Sequence, residues 1–289
     1  MDDPVRHVMC PNMALNPQIL TDGLGAFDEV EELGHGTFGT TFRVVRGDDE
    51  YAVKVIHLEG LPPYLWDREI RALKDAEHPN VVGFRTSGHF SLNGRDYPYL
   101  ECEYVDGGSA RKNLDEGSRP DTGDKLRELL TGLLAGIDEI HELGIIHRDI
   151  KPANIALRGG DWGRPVLLDF GLAKVLDMSS HTMLGQMRGT PPYMAPEQLR
   201  GRPARRRSDL FAIGLVVYEA GTSQHPFLTR TTSTTQALHD AIQAGPPKDP
   251  RELADFWPNE VAEVVLRLLS YPAHARLGIS QALRDLESA

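Results

Sequence analysis

The chain has 289 residues, 40% apolar and 25% charged, the balance of a soluble globular protein long enough for one large domain or two lobes sharing a cleft. Its net charge of −11 argues against nucleic acid or an anionic membrane as the main partner. Two cysteines, Cys10 and Cys102, make no disulfide framework and point to a reducing, cytoplasmic setting. No apolar run approaches the ~20 residues of a membrane span, and the acidic start Met1-Asp2-Asp3-Pro4 lacks the apolar core of a signal peptide.

Residues 1–26 are rich in Met, Asn, Pro and Gly without a sustained period, and read as a loosely ordered leader or docking tail. From Phe27 to Val55, short apolar runs broken by glycines predict three strands, with a tight turn at Gly47-Asp48-Asp49. Residues 64–75 place Leu65, Ile70 and Leu73 at helical spacing, and His78-Pro79-Asn80 stops that helix. Strands are expected over Val81–Ser87 and Tyr97–Tyr104, joined through Asn93-Gly94. After Asp106-Gly107-Gly108 the pattern turns helical. Leu126, Leu129, Leu130, Leu133, Leu134, Ile137 and Ile140 form one stripe over 124–143, ended by a Gly144 cap. Further helices are expected near 208–220, 234–243, 259–270 and 279–287. The class is α+β, a small strand-rich N-lobe followed by a larger, mostly helical C-lobe. Arg205-Arg206-Arg207 is the one notable like-charge run, a solvated loop or a dock for an acidic partner.

Gly34-His35-Gly36-Thr37-Phe38-Gly39 lies between two predicted strands. A dinucleotide fingerprint would need strand, loop, then helix. Here the loop leads into another strand, Thr41–Val45, which favours a flap whose backbone amides approach phosphate oxygens without a Cβ clash. Ala52-Val53-Lys54-Val55 then offers a strand lysine among apolar neighbours.

The stretch His147-Arg148-Asp149-Ile150-Lys151-Pro152-Ala153-Asn154, followed by Leu168-Asp169-Phe170-Gly171, sets two carboxylates, an amide, a lysine and an arginine on two short loops joined by a hairpin-sized spacer. Asp149 is the candidate to orient an attacking hydroxyl and accept its proton, a task in which positioning outweighs basicity. Asn154 and Asp169 offer hard oxygen ligands suited to Mg²⁺.

With this spacing the chain resembles the eukaryotic-type (Hanks-type) serine/threonine protein kinases, over about residues 27–287. The resemblance implies the bilobal protein-kinase fold: a five-stranded antiparallel N-lobe with one main helix over 27–102, a hinge at 103–108, a C-lobe over 109–287, and the active site in the cleft. It implies ATP and Mg²⁺, or Mn²⁺, as cofactors and a protein substrate, with no nucleic acid, no membrane span and a transient dimer for trans-autophosphorylation. Lys54 would neutralise the α- and β-phosphates with Glu69 as its carboxylate partner, and Lys151, a mark of the serine/threonine branch, would reach the γ-phosphate. Asn154 and Asp169 would hold the metal. ATP would be lined by Leu33, Gly34, His35, Gly36, Thr37, Phe38, Gly39, Thr40, Thr41, Ala52, Cys102 as gatekeeper, Glu103, Val105 and Ala156.

Two positions depart from the family pattern. Thr41 stands where valine is common, and Ala156 where leucine or another bulky aliphatic is usual, so the adenine slot loses apolar contact and nucleotide affinity is expected to be modest. His147, Phe170, Leu73 and Phe84 resemble the apolar stack linking the lobes. Glu197 of Ala195-Pro196-Glu197 should pair with Arg276, and Asp209 should hold the catalytic-loop backbone. Ser180 and Thr182 are candidate phosphorylation sites that would give Arg148 an anion, with Lys174 beside them, while Thr190 resembles the threonine that bonds Asp149 and Lys151. A nucleotide-binding pseudokinase scaffold and a kinase of small metabolites are the competing readings. Thr41 and Ala156 hint at the first, and the Ala195-Pro196-Glu197 segment argues against the second.

Overall fold

The computed structural model describes residues 15–36, 39–56, Ile70, 73–169, 192–229, Thr232 and 234–288. The chain divides into two compact units, Met1–Asp75 with Gly83–Tyr104, and Ala76–Val82 with Val105–Ala289.

The first unit is built on an antiparallel five-stranded sheet. Its strands are β1 (Glu29–Gly36), β2 (Gly39–Arg46), β3 (Asp49–Ile56), β4 (Phe84–Leu92) and β5 (Arg95–Glu103), in spatial order β1-β2-β3-β5-β4. The turns fall where glycine allows a left-handed backbone, at Gly47 (φ +61°) and Gly94 (φ +75°). Alternation then sorts the side chains. Phe42, Val44, Tyr51, Val53 and Val55 are buried on one face, while Thr41, Ala52 and Lys54 lie on the other, half-buried.

Two expectations for this unit need correction. Residues 18–24 form a helix, α1 (Gln18–Leu24), with Leu20 fully buried and Ile19 9% exposed, so this part of the leader is ordered and belongs to the core of the sheet. The run from Val81 also is not one strand. Val81 bridges Leu167 and the Val82 N–H donates to the Leu167 carbonyl at 3.0 Å, both within the second unit, whereas β4 begins after Gly83. Only Ile70 and Leu73–Asp75 of the helix expected over 64–75 are described, and these are helical.

The second unit is mostly helical: α2 (Ala110–Asp115), α3 (Gly123–Glu142), α4 (Pro196–Leu199), α5 (Arg206–Thr222), α6 (Thr235–Gln243), α7 (Asn259–Leu268) and α8 (Ile279–Glu287). The α3 stripe from Leu126 to Ile140 is entirely buried, as its spacing requires. The Thr122 hydroxyl caps its start by accepting from the Lys125 N–H at 3.3 Å. Gly144, at φ +78°, lets the chain turn back so that the Ile145 N–H reaches the Ile140 carbonyl at 3.1 Å. A short hairpin of β6 (Ile155–Leu157) and β7 (Pro165–Leu167) follows. The short α2 and α4 carry too few apolar positions to show a period in the sequence. Among the described residues no helix is long and apolar enough to cross a membrane.

Candidate active site

In the second unit the loop after α3 carries His147, Arg148, Asp149 and Lys151, and the turn Pro152–Asn154 leads into β6. The hairpin sets Ile155 opposite Leu167, so Asn154 and Leu168 are cross-strand neighbours, and the Leu168 N–H donates to the Asn154 carbonyl at 2.9 Å. The Leu168 carbonyl in turn accepts from the His147 Nε2 at 2.9 Å. Two loops separated in sequence are thereby stitched together, and Asp169 follows directly, its φ of +51° an uncommon value for a non-glycine residue.

Asp149 is held from both sides. The Lys151 ammonium donates to its Oδ2 at 2.9 Å, and the Asn154 side-chain amide donates to the same oxygen at 3.0 Å and to the Asp149 carbonyl at 2.8 Å. Both Asn154 amide protons are thus turned toward Asp149, which leaves Oδ1 as the atom for a cation. With the Asp169 carboxylate next to the stitched Leu168, the donors are hard oxygens, a set that fits Mg²⁺ or Mn²⁺.

His147 is wholly buried, and burial holds its imidazole below the ordinary 6.5 despite the nearby Asp209 and Asp149. The Asp149 N–H points at its Nδ1 at 3.4 Å, so Nδ1 accepts and Nε2 carries the proton given to Leu168. These contacts fit a neutral histidine that braces the two loops.

In the first unit the glycine loop is closed by paired strands, Gly34 opposite Thr41, His35 opposite Thr40 and Gly36 opposite Gly39. A register shift between Glu32 and Gly34 leaves Leu33 44% exposed. Lys54 sits opposite Thr41 on one side and Leu100 on the other, and Ala52 is opposite Cys102. Cys102 is buried. The Glu103 N–H donates to the Gly83 carbonyl at 2.8 Å, and its carboxylate accepts the Gly83 N–H at 3.1 Å. Phe84 opens β4, and Leu73 is 2% exposed. Val105 and Ala156, in the second unit, are buried, and Ala156 faces Val166 across the hairpin. Thr37, Phe38, Glu69, Phe170, Lys174, Ser180, Thr182 and Thr190 lie outside the described residues.

The Glu197–Arg276 pair that the resemblance implies is present in the helical unit. Arg276, with no exposed side-chain surface, meets Glu197 with both terminal nitrogens, at 2.8 and 2.9 Å. It also donates to the carbonyls of Ser270, Arg207 and Tyr271, and its guanidinium lies 4.7 Å from the Phe211 ring centre. Sequence reasoning missed a second network. Glu219 on α5 accepts from Arg111 at 2.9 Å and from the Tyr193 hydroxyl, and the Tyr193 ring stands edge-on to His225. Burial first, then the Glu219 carboxylate, push the Tyr193 phenol far above its usual range. Tyr193 next to Ala195-Pro196-Glu197 is the one trace of this network in the sequence.

A lysine strand beneath a paired glycine loop, and a helical unit whose aspartate, lysine and asparagine converge beside a second aspartate, are the parts of a protein kinase. The chain belongs to that family: the family described as "Protein kinase domain" matches residues 27–286. A probable serine/threonine-protein kinase PknB of Lactococcus lactis is 33% identical over 68% of this chain and 32% of its own length. The DNA damage-responsive serine/threonine-protein kinase RqkA of Deinococcus radiodurans is 33% identical over 95% of this chain and 40% of its own length. The chain thus spans about a third of the length of these curated relatives. Among solved structures, Rad53 in complex with AMP-PNP superposes with a TM-score of 0.71 at 27% identity, covering 92% of this chain and 65% of that one. The PknI kinase domain of Mycobacterium tuberculosis has the same fold, with a TM-score of 0.63 at 21% identity over 95% of this chain and 100% of that one. The five-stranded sheet and the helical unit are those of the bilobal kinase fold.

Proposed function

We propose that this chain is a Mg²⁺- and ATP-dependent serine/threonine protein kinase, with residues 27–287 as the catalytic domain and 103–108 as its hinge. The observation that carries the reading is the Asp149 carboxylate gripped by Lys151 and Asn154 beside Asp169. Phosphoryl transfer needs little covalent help from the protein and depends on positioning and on charge where charge develops.

Each residue then has one task. Lys54 offsets charge on the α- and β-phosphates, and the glycine-loop amides roof them. Asp149 orients the substrate hydroxyl and takes its proton as the oxygen attacks. Lys151 supports charge that moves onto the γ-phosphate. Asn154 Oδ1 and the Asp169 carboxylate would hold the divalent ion, which when bound neutralises the phosphate oxygens. The Rad53 complex with AMP-PNP supports a nucleotide as co-substrate. A cytoplasmic setting is favoured by the two cysteines and the lack of any long apolar run.

The test is transfer of labelled γ-phosphate from ATP with Mg²⁺ onto a protein panel, set against sugars and amino alcohols. Asp149→Asn should lower the rate by ~10²- to 10⁴-fold. A wild-type chain that binds nucleotide but labels nothing would make it a pseudokinase scaffold. Control by phosphorylation of the activation segment, in trans within a transient dimer, belongs to the same reading, because a phosphate adds about −1.5 to −2 charges near Arg148. Intact mass after incubation with Mg²⁺-ATP should show phosphate uptake that the Ser180→Ala/Thr182→Ala double variant lacks.

A further inference from the structure

Helix α1 lies upstream of the family-matched region, which begins at residue 27. It has only seven residues and starts after Pro17, with the Asn16 side chain accepting the Gln18 N–H at 3.0 Å. Such a helix does not hold together in water by itself. It exists here because Ile19 and Leu20 enter one cluster with Phe42, Val44, Tyr51, Val53, Val55 and Phe90. Leu15, Leu24 and Phe27 pack around the rim of that cluster. Gly23 approaches so closely that a Cβ there would lie 2.2 Å from the Phe90 ring.

A second set of contacts ties the segment down. Arg46, the last residue of β2, donates to the carbonyls of Leu24 at 3.1 Å and Ala26 at 3.3 Å and stacks over the Phe27 ring at 4.3 Å. At the other end the Leu15 N–H approaches the Thr40 hydroxyl at 3.5 Å, one residue from the glycine loop's closing Gly39.

The covered face is the reverse of the nucleotide face. Strand alternation puts Phe42 and Thr40 on either side of Thr41, and Val53 and Val55 on either side of Lys54, so the fully buried Thr40, expected to line ATP, turns its side chain to the core face instead. The side chains that α1 packs against are therefore the immediate neighbours of those assigned to the nucleotide. Packed interiors transmit a void as a displacement of the surrounding backbone.

We propose that residues 15–27 are a positioning strap for the nucleotide strands: by covering the far face of β2 and β3 they set where Lys54 and the glycine-loop stem stand. This rests on the reading of Lys54 as the phosphate lysine. Its signature is a loss of nucleotide affinity rather than of turnover.

The test uses the full chain, a fluorescent ATP analogue and steady-state phosphotransfer. Leu20→Ala should raise the nucleotide Kd and the KM for ATP about 10-fold, leave kcat within about 2-fold, and be rescued by Leu20→Met. Arg46→Ala, an exposed change that leaves the core intact, should raise Kd about 3-fold and decides the matter if Leu20→Ala does not fold. Folded variants that bind nucleotide as the wild type does, or that lose kcat with KM unmoved, would overturn the strap. Because Kd is read without turnover, failure of the kinase reading shows separately, as a wild type that binds nucleotide and transfers nothing.

Discussion

The Asp209 carboxylate accepts the Arg148 N–H at 2.8 Å, and Arg148 is held at φ +67°, a left-handed backbone that a bulky side chain resists by about 1–3 kcal/mol. The same carboxylate takes the His147 N–H at 2.9 Å and the His141 Nε2 at 2.8 Å, and Asp209 and His141 are both buried. Three donors converge on one acidic residue at the start of α5, and together they impose the turn that presents Asp149. Asp209→Asn preserves the volume but aims an amide N–H at one of these donors. It should lower stability by roughly 1–3 kcal/mol in urea unfolding and reduce phosphotransfer at least as strongly as nucleotide binding. Wild-type turnover in that variant would show that the Arg148 turn needs no external support.

The Glu197–Arg276 pair predicts an acid-sensitive term. Burial raises the Glu197 carboxyl, but the Arg276 guanidinium and the Ser208 hydroxyl outweigh it and hold the group below its ordinary 4.5. A depressed carboxylate contributes stability that is fully present above its unfolded value and is lost as pH falls through the folded one. Unfolding free energy should therefore drop as the pH is taken below 4.5. In Glu197→Gln that part of the drop should vanish, while the variant is less stable at pH 7. Arg276→Ala leaves the half-buried Glu197 carboxylate without its cation and should cost up to about 3 kcal/mol. Parallel acid unfolding curves for wild type and Glu197→Gln would contradict the assignment.

Much of this architecture was legible in the sequence, for a physical reason that also explains the rest. The α3 stripe, the Gly47 and Gly94 turns and the loop holding Asp149, Lys151 and Asn154 are short-range patterns, fixed by helix period, glycine conformation and residue spacing. What was missed depends on distant partners. Helix α1 offers only Ile19 and Leu20 to the core, too few for a period, and forms because the sheet provides Phe42, Val53 and Phe90. Val81 and Val82 look continuous with β4 but pair with Leu167, a distant residue of their own, second unit. Glu219 meets Tyr193 and Arg111 across 26 and 108 residues of chain, with no local signal.

Two histidines give a second pH window. Burial holds His147 and His225 below the ordinary 6.5, against the opposing pull of Asp209 on the first and of the Pro192 carbonyl and Glu219 on the second. In both, Nδ1 faces backbone N–H groups, of Asp149 for His147 and of Phe227 and Leu228 for His225, while Nε2 is directed at a carbonyl. Each is fixed as a neutral ring. Unfolded histidine takes up a proton first, so stability is whole above 6.5 and falls as the pH drops below it. The melting temperature should decline between pH 7 and pH 5.5, less steeply in His225→Gln, and imidazole NMR signals of both residues should titrate below 6.5. Ordinary titration of either ring would refute the neutral brace.

Gly34 and Gly39 stand at matching ends of the same loop but answer to different forces. A Cβ at Gly39 would lie 2.5 Å from the Val55 backbone carbonyl, so β2 and β3 could not keep their spacing. At Gly34 a Cβ meets nothing within 4 Å among the described residues. Gly39→Ala should therefore destabilise the folded chain by about 1–3 kcal/mol with or without nucleotide, as overpacking does. Gly34→Ala should leave the apo melting temperature unchanged and, on the proposed role of the loop, weaken ATP, because the added methyl would occupy space that the phosphates would require. Thermal unfolding of each variant with and without Mg²⁺-ATP separates the two effects. Equal destabilisation of both apo forms, or a Gly34→Ala chain that binds ATP normally, would remove the glycine loop from the phosphate site.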